Sequence, residues 1–386
     1  MKITFVTDTY TPQANGVATT LERLVNGLRE RGNEVDVIRP AILACDEEGL
    51  GVPSIGLPGY REVRFGFPMR LVLQSRWSRR RPDVIYVATE TPLGASAINA
   101  ARSLAIPAAS GFHTNFQQYV AHYRLPLLER ATLNYLRRLH NRSSCTFVPS
   151  RDVIEDLDAK GFENLQLLPK GVDTKRFHPK KRSIALRQSW GVGPGGIVGL
   201  CVGRIAAEKN LPLVVEAFRA IRSRIPDFQG VFVGDGPKLE ELKRDFPEFH
   251  YAGVLRGDAL AEHYASADLF LFPSITETFG NVTLEAMASG LAVIAYDYAA
   301  ARQHIRNGEN GFVAPFDDDA AFLDLALAVA GSDLSSIREE ARESARRVRW
   351  RKVVKRFERQ LAELAGAVEV PDDLPSEVES MTSVCA

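Results

Sequence analysis

Short apolar runs alternate with amphipathic stretches along most of the chain. The continuous apolar runs predict strands that are buried on both faces, at residues 3–7, 34–38, 83–88, 107–112, 145–148, 165–168, 197–203, 228–233, 249–254 and 269–272. Between residues 17 and 31, Leu21, Leu24, Val25 and Leu28 recur at helical spacing. This alternation of strand and helix predicts an α/β fold.

The length and the distribution of turn residues predict two domains. A chain of 386 residues is long for one core, and residues 169–179 form a turn-rich connector. We therefore expect a first domain at 1–179 and a second at 180–347. Residues 338–359 carry an apolar stripe in a basic background, which predicts one long amphipathic helix. The acidic, proline-containing segment 367–386 predicts a disordered tail.

Composition narrows the functional class. Forty-eight basic residues balance 48 acidic ones, so no overall charge favours nucleic acid. The four cysteines are scattered, which fits a reducing, cytoplasmic location and argues against a disulfide framework or a zinc knuckle. Asp8 follows too closely on the first residues for a signal peptide. No apolar run approaches the 18 residues expected of a membrane span.

Arginines are concentrated between residues 61 and 81. Seven arginines accompany one acid, Glu62, and Phe65, Phe67 and Trp77 are interleaved with them. Basic and aromatic residues together predict contact with an anionic membrane surface, as in a peripheral enzyme at the inner face of the cytoplasmic membrane. The alternative is an amphipathic helix whose arginines are solvated or pair with acids elsewhere in the fold.

The stretch 274–290 lies between two apolar strands and holds the strongest candidate site. Gly280 permits close approach of a ligand to the backbone, and Asn281 is positioned to cap the helix that follows. Amides at that helix start favour phosphate. Glu277 and Glu285, eight positions apart, are suited to hydroxyl groups. The stretch therefore fits a sugar joined to a nucleotide diphosphate.

Four further candidates follow predicted strands, where open α/β sheets bind ligands. Arg204 and Lys209 share one loop and are suited to a diphosphate, the first as a planar fork and the second as a point charge. A surface salt bridge with Glu208 is the structural alternative. His113 directly follows a strand, and Gly16 lies at a helix entrance, where it permits close approach to a ligand.

Several short motifs occur together in the order typical of one enzyme family. They are Asn15-Gly16-Val17, His113, Pro169-Lys170-Gly171-Val172-Asp173, Gly203-Arg204, Glu208-Lys209-Asn210, Gly234-Asp235-Gly236-Pro237 and the pair Glu277 and Glu285. Through them the chain resembles the retaining GT-B glycosyltransferases of family 4, from about residue 1 to residue 365. The resemblance implies two Rossmann-like domains facing a cleft, and a final helix at 348–366 that crosses back to the first domain.

The resemblance also implies roles for the candidate catalytic residues. Arg204 and Lys209 would bind the diphosphate and stabilise the charge of the leaving group. Glu277 would bind the donor sugar, and His113 would line the sugar site.

Further donor-binding roles follow from the same resemblance. Gly16 would let the first domain approach the donor, and Glu285 would bind the ribose. The rest of the donor site would be the helix start formed by Phe279, Gly280, Asn281 and Val282.

Within the family, the strongest likeness is to GDP-mannose-dependent α-mannosyltransferases and related glycolipid-forming enzymes. It rests on residues 111–116 and 295–302, although Ala299 and Ala300 stand where many members have glycines. The implied function is transfer of a hexose from a nucleotide sugar, best matched by mannose from GDP-mannose, to a lipid or glycan acceptor. The alternatives are a UDP-sugar donor carrying glucose or glucuronate, an epimerase, and a non-catalytic binding protein.

No cofactor is expected beyond the nucleotide-sugar co-substrate, and no metal is required. The sequence Asp317-Asp318-Asp319 matches the D-x-D pattern that chelates a metal–diphosphate in other glycosyltransferases. It opens a predicted helix, which favours capping. Two basic side chains and a helix start are expected to replace the cation.

Overall fold

The structure is a computed structural model, and it describes residues 1–366 apart from residues 12, 14–15, 42–48, 58–59 and 114–125. The side chains of residues 57, 60–63 and 126–129 also lie outside the description. The predicted tail at 367–386 falls outside the described residues, as do Asn15 and residues 114–116 of the family motifs.

The first domain is built on a seven-stranded parallel sheet. Its strands are Lys2–Val6 (β1), Glu34–Pro40 (β2), Leu50–Val52 (β3), Val84–Val87 (β6), Ala108–Gly111 (β7), Cys145–Val148 (β8) and Leu165–Leu167 (β9). They lie in the order β3-β2-β1-β6-β7-β8-β9. An antiparallel hairpin, Ser54–Leu57 (β4) and Tyr60–Gly66 (β5), is inserted after β3. The helices are Gly16–Glu30 (α1), Arg70–Arg79 (α2), Pro92–Ser103 (α3), Pro126–His140 (α4) and Arg151–Ala159 (α5).

The second domain repeats this architecture with six parallel strands. They are Ile197–Val202 (β10), Phe228–Val233 (β11), His250–Tyr251 (β12), Leu269–Phe272 (β13), Ala292–Tyr296 (β14) and Phe312–Ala314 (β15). They lie in the order β12-β11-β10-β13-β14-β15. The helices are Ile184–Ser189 (α6), Leu211–Arg224 (α7), Leu239–Asp245 (α8), Gly257–Ser266 (α9), Asn281–Ala288 (α10), Ala299–His304 (α11), Asp319–Ala330 (α12) and Ser335–Arg347 (α13). Separate apolar clusters cover the two faces of the sheet, which explains why its strands read as continuous apolar runs.

The last described helix, Trp350–Leu364 (α14), returns to the first domain. Its apolar stripe enters the core of the first sheet, where the Phe357 ring contacts Phe5, Tyr86 and Phe147 edge to face or nearly so. The predicted α/β architecture, with two parallel sheets and a helix that crosses back, is confirmed. The boundary at residue 179 stays a prediction.

The single long helix expected over 338–359 is wrong. The helical backbone is interrupted at Val348 and Arg349, between α13 and α14. There the chain runs beside the connector, because the Val172 N–H donates to the Val348 carbonyl at 3.0 Å. At this break the chain passes from the second domain back to the first, after having passed from the first to the second through the connector at 169–179.

The helices were also compared with the length and apolarity that a membrane span needs. Among the described residues no single helix meets both requirements. The helices α12 and α13 meet them when they are counted together, but the angle of the bend between them is 112°.

Candidate functional site

The predicted site residues lie where the strands of both sheets end. Arg204 follows β10, Glu277 follows β13 and His113 follows β7. The two domains approach each other at this edge. A Cβ atom placed on Gly16, at the start of α1, would lie 3.5 Å from the Nδ2 atom of Asn281, at the start of α10. The helix starts predicted to meet the donor therefore face one another.

The loop before α10 is shaped by Gly280. Its φ of +87° lies in the left-handed region, which a residue with a Cβ atom adopts only with strain. Gly280 is the residue at the N-cap position and Asn281 is the first helical residue, so the predicted Asn281 cap is wrong. The Asn281 Oδ1 atom is buried and has no hydrogen-bond partner in the described part of the chain.

The amides at the start of α10 are only partly available. Thr283 donates its N–H to the Gly280 carbonyl at 3.1 Å, so this amide is already used within the protein. The amides of Gly280, Asn281 and Val282 remain at the open end of the helix. The side chain of Phe279 is buried, and its carbonyl accepts the Ala300 N–H at 2.8 Å, which ties the loop to α11. Phe279 therefore holds the loop in place by the packing of its buried ring and by this backbone hydrogen bond.

Lys209 and Glu277 form an ion pair at the centre of the second-domain edge. The Lys209 ammonium contacts the Glu277 carboxylate, and the two side chains are only 15 % and 16 % exposed. The Ser274 hydroxyl donates to the same carboxylate oxygen at 2.8 Å. The Lys209 ammonium also lies 5.4 Å from the centre of the Phe272 ring. The structure thus joins two predicted residues that are 68 positions apart in sequence.

Arg204 lies on the same loop as Lys209. Its guanidinium is 3.8 Å from the Glu208 carboxylate, beyond hydrogen-bond distance, and 37 % of its side chain is exposed. The salt bridge with Glu208, expected as the structural alternative, is therefore present but loose.

Glu285 faces a tyrosine within the second domain. The Tyr264 hydroxyl donates to its carboxylate at 3.1 Å. Burial raises the pKa of Glu285 to about 7, although the Tyr264 hydrogen bond and the charge of Arg176 act in the opposite direction. This carboxylate therefore titrates near neutral pH.

His113 is buried and neutral on the first-domain edge. Its Nε2 atom shares a 2.7 Å hydrogen bond with the Tyr86 hydroxyl. Burial first, then the charges of Lys170 and His140, lower the pKa of His113 to about 3. Its Nδ1 atom is buried without a partner among the described residues. Gly111 makes this arrangement sterically feasible, since a Cβ atom there would lie 2.6 Å from the His113 Nε2 atom and still closer to the Tyr86 hydroxyl.

Sequence reasoning missed one residue at the same edge. Lys170, in the connector, is only 7 % exposed, and its ammonium lies 5.7 Å from the centre of the Phe279 ring. Burial lowers the pKa of Lys170 to about 8, and the charge of Glu277 opposes that shift. The sequence did offer one signal for Lys170, because it belongs to a family motif that follows a strand. The signal was not used, because a lysine in a turn-rich connector is normally exposed.

Two of the three consecutive aspartates, Asp318 and Asp319, form hydrogen bonds within the protein. Asp318 caps α12 by accepting the Ala321 N–H at 3.0 Å. Asp319 accepts hydrogen bonds from the Tyr296 hydroxyl and from Asn210. Within the described ranges, no three His, Cys, Asp or Glu residues are grouped closely enough to hold a metal ion.

Two family models match the two halves of the chain. Residues 14–176 match the model described as Glycosyltransferase Family 4, and residues 196–332 match the model described as Glycosyl transferases group 1.

Proteins of known sequence and structure give the same assignment. The GDP-mannose-dependent alpha-mannosyltransferase of Corynebacterium glutamicum is 36 % identical over 324 residues, covering 81 % of this chain and 76 % of that protein. The alpha-monoglucosyldiacylglycerol synthase of Streptococcus pneumoniae is 30 % identical over 77 % of this chain and 71 % of that protein. The fold matches the crystal structure of HepE from Anabaena in complex with UDP, with a TM-score of 0.75 and 19 % identity over 94 % of this chain and all of that one. The chain therefore belongs to glycosyltransferase family 4.

Proposed function

We propose that the protein transfers mannose from GDP-mannose to a lipid or glycan acceptor, with retention of the anomeric configuration. One observation carries the proposal. The Lys209–Glu277 pair and the open start of α10 lie together at one edge of the second sheet, and that edge meets His113 and Lys170 of the first domain. The edge offers cations for a diphosphate beside hydrogen-bonding groups for a sugar. Mannose and GDP are chosen because they are named in several relatives of this chain.

The donor's charged half is assigned to the second domain. Arg204 and Lys209 bind the diphosphate and stabilise the charge that develops on it as the glycosidic bond breaks. The amides at the start of α10 bind phosphate oxygens, since the helix dipole favours an anion there. Glu285 accepts hydrogen bonds from the ribose.

The donor's sugar is assigned to the cleft between the domains. Glu277 accepts hydrogen bonds from its hydroxyls and exchanges part of its contact with Lys209 for them. The His113 imidazole stays neutral because of its burial, so it offers a hydrogen bond to the sugar without adding a charge. Gly16 lets the start of α1 lie close to the start of α10 and so brings the first domain next to the donor.

No metal is required in this scheme. Two side-chain cations and a helix start neutralise the diphosphate, the task that a divalent ion performs elsewhere. Activity should therefore survive EDTA. Complete loss on chelation, restored by manganese or magnesium, would return Asp317, Asp318 and Asp319 to consideration as ligands.

A donor screen tests the proposal. Thermal shift should detect GDP-mannose in preference to UDP-glucose, UDP-glucuronate and ADP-glucose, because a ligand of the native state raises its stability. Products are then analysed with and without acceptor. Transfer only with acceptor supports the proposal, isomerised donor without acceptor indicates an epimerase, and binding without any product indicates a binding protein.

We further propose a lipid surface as the partner of the first domain, bound mainly through exposed apolar residues with two arginines beside them. Of the predicted membrane segment 61–81, Trp77 is buried. Arg76 lies 3.0 Å from Asp36, Arg80 pairs with Glu34, and Arg81 donates to the carbonyls of residues 104 and 105. Those arginines are thus engaged within the fold, which the alternative interpretation anticipated.

Four large apolar side chains remain exposed beside them. They are Ile55 (59 %), Phe67 (49 %), Leu71 (79 %) and Val72 (45 %). Burying such side chains in the acyl boundary is favourable, and the exposed Arg70 and Arg79 lie on the same helix, near anionic headgroups.

Co-sedimentation with anionic vesicles tests this surface. Leu71→Ser combined with Val72→Ser should release the protein, because it removes apolar contact and leaves the internal ion pairs intact. Ile184→Ser is the matched control, since Ile184 is 74 % exposed on the second domain. If wild type ignores anionic vesicles at low salt, or if both variants behave alike, the surface is not the membrane contact.

A further inference from the structure

Lys170 is a buried lysine that no acid among the described residues contacts directly. It is 7 % exposed, and within the described part of the chain it makes no hydrogen bond or ion pair. Its contact is with the face of the Phe279 ring, 5.7 Å from the ammonium to the ring centre. Lysines are almost never buried in this way unless they are paired.

The surroundings of Lys170 are apolar except on one side. Helices α1 and α14 contribute Thr20, Leu24, Trp350 and Val353 to the cavity that Lys170 lines, and none of them titrates. The charged or titratable groups that act on it are Glu277, across the cleft, and His113, at the end of β7. Lys170 therefore lines a cavity together with His113 and is within the electrostatic reach of Glu277, the two residues assigned to the sugar.

This position lowers the stability of the protein. Burial lowers the pKa of Lys170 from its ordinary value of 10.5 to about 8, because the charged form loses its hydration. Between those values the unfolded chain binds a proton that the folded chain does not, so stability rises with pH there and is reduced below pH 8. The charge on Lys170 therefore costs stability in the free protein, which favours a role for it in ligand binding.

We propose that Lys170 is a substrate-binding residue that donates hydrogen bonds to a hydroxyl of the transferred hexose. A hydroxyl fits better than a phosphate, because the cavity that Lys170 lines is otherwise largely apolar and a charged phosphate would lose more hydration there than a neutral hydroxyl. The Glu277 carboxylate and the unpartnered His113 Nδ1 complete a set of donors and acceptors around a neutral sugar. This inference rests on the proposed function, and it separates a sugar site from the diphosphate site at Arg204 and Lys209.

Calorimetric titration of GDP and of GDP-mannose tests the separation. In Lys170→Met the affinity for GDP should be unchanged, and the affinity for GDP-mannose should fall about tenfold, since a hydrogen bond to a charged group is lost. Lys170→Gln, which keeps a donor without the charge, should recover part of the loss. Lys160→Met is the matched control, because Lys160 pairs with Asp156 on the surface of the first domain. Equal losses for GDP and GDP-mannose would overturn the inference.

Thermal unfolding supplies a readout that does not depend on the donor. Lys170→Met should melt at a higher temperature than wild type at pH 7, and the rise in wild-type stability between pH 8 and pH 10.5 should be absent from it. A lower melting temperature at pH 7 would identify Lys170 as a structural residue and contradict the proposal. If the wild-type protein binds UDP and a UDP-sugar instead of GDP and GDP-mannose, the proposed donor is wrong. The comparison of free nucleotide with nucleotide sugar, made with UDP, then still tests the role of Lys170.

Discussion

The two sides of the cleft are built on the same fold but differ in their chemistry. On the second-domain side the charged groups come in pairs, Lys209 with Glu277 and Arg204 with Glu208, and they are partly exposed. On the first-domain side His113 and Lys170 are buried, and neither forms an ion pair within the part of the chain that the structure describes. The edge of the second-domain sheet thus presents charged side chains in ion pairs. The edge of the first-domain sheet presents hydrogen-bonding side chains that are buried among apolar ones.

Under the proposed function, this difference would divide one donor between the two domains. Ion pairing offsets part of the desolvation penalty of the largely buried Lys209, and an anionic diphosphate can replace its carboxylate partner on binding. A neutral sugar suits a dry pocket, where a hydrogen bond is electrostatically stronger than in water. Because the architecture is shared, the side chains at the strand ends decide which half of the donor each domain holds.

Loss of the Lys209 cation should have the largest effect. Lys209→Ala should reduce turnover about a hundredfold or more, because one electrostatic contact to the leaving group is removed. The fold should remain intact by circular dichroism. Lys238→Ala is the control, since Lys238 pairs with Glu241 on the surface of the same domain. Near wild-type turnover in a folded Lys209→Ala protein would contradict the assignment of the diphosphate to the second domain.

A single methyl group at Gly111 should damage the first-domain side. In Gly111→Ala the new Cβ atom must displace Tyr86 or His113, so we expect a loss of about 1–3 kcal/mol in the free energy of unfolding, together with weaker activity. Gly195→Ala is the matched control, because a Cβ atom at Gly195 meets nothing within 4 Å. Equal stability of the two variants in urea would show that the His113–Tyr86 arrangement is not tightly packed.

The pKa of Glu285 should make donor binding depend on pH. Because this pKa is raised to about 7, the carboxylate accepts hydrogen bonds fully only above that value, and GDP affinity should fall about tenfold as the pH drops from 8 to 5. Glu285→Gln should remove the dependence. Titration calorimetry across this range checks the prediction, and an equally steep dependence in Glu285→Gln would assign it to another group.

The smallest effect is expected behind the donor loop. Ala299 and Ala300 both lie in α11, but of the two only Ala299 has a positive φ, of +51°, which strains a residue with a Cβ atom. Ala299→Gly should therefore change the free energy of unfolding by less than about 1 kcal/mol, because relief of strain offsets the lost methyl and the backbone entropy. Ala300→Gly should destabilise by about 1–2 kcal/mol. Thermal unfolding of the two variants measures the difference. A larger destabilisation in Ala299→Gly than in Ala300→Gly would contradict the strain at Ala299.

The second-domain side was largely predictable from the sequence. Adjacent parallel strands end at the same edge, so Lys209 after β10 and Glu277 after β13 had to lie near each other. The direct ion pair between them was not predicted, because strand positions place loops but do not fix which side chains meet. The Gly280 cap was missed because Asn281 is itself a preferred cap residue.

The first-domain side was predicted less well. The burial of Lys170 depends on α1, α14 and the opposite domain packing around the connector, and no local pattern encodes that. The break at Val348 likewise follows from pairing with Val172, a contact between segments that are distant in sequence. Local periodicity therefore predicted helices and strands, whereas contacts between the domains required the structure.

The anomeric configuration of the product tests the central claim most directly. GDP-mannose is incubated with the protein and with diacylglycerol, glucosyldiacylglycerol or phosphatidylinositol monomannoside in mixed micelles, and the product is analysed by proton NMR. The account predicts an α-linked mannoside, formed only when an acceptor is present and in the presence of EDTA. A β-linked product, or transfer from a UDP-sugar while GDP-mannose is refused, would contradict it.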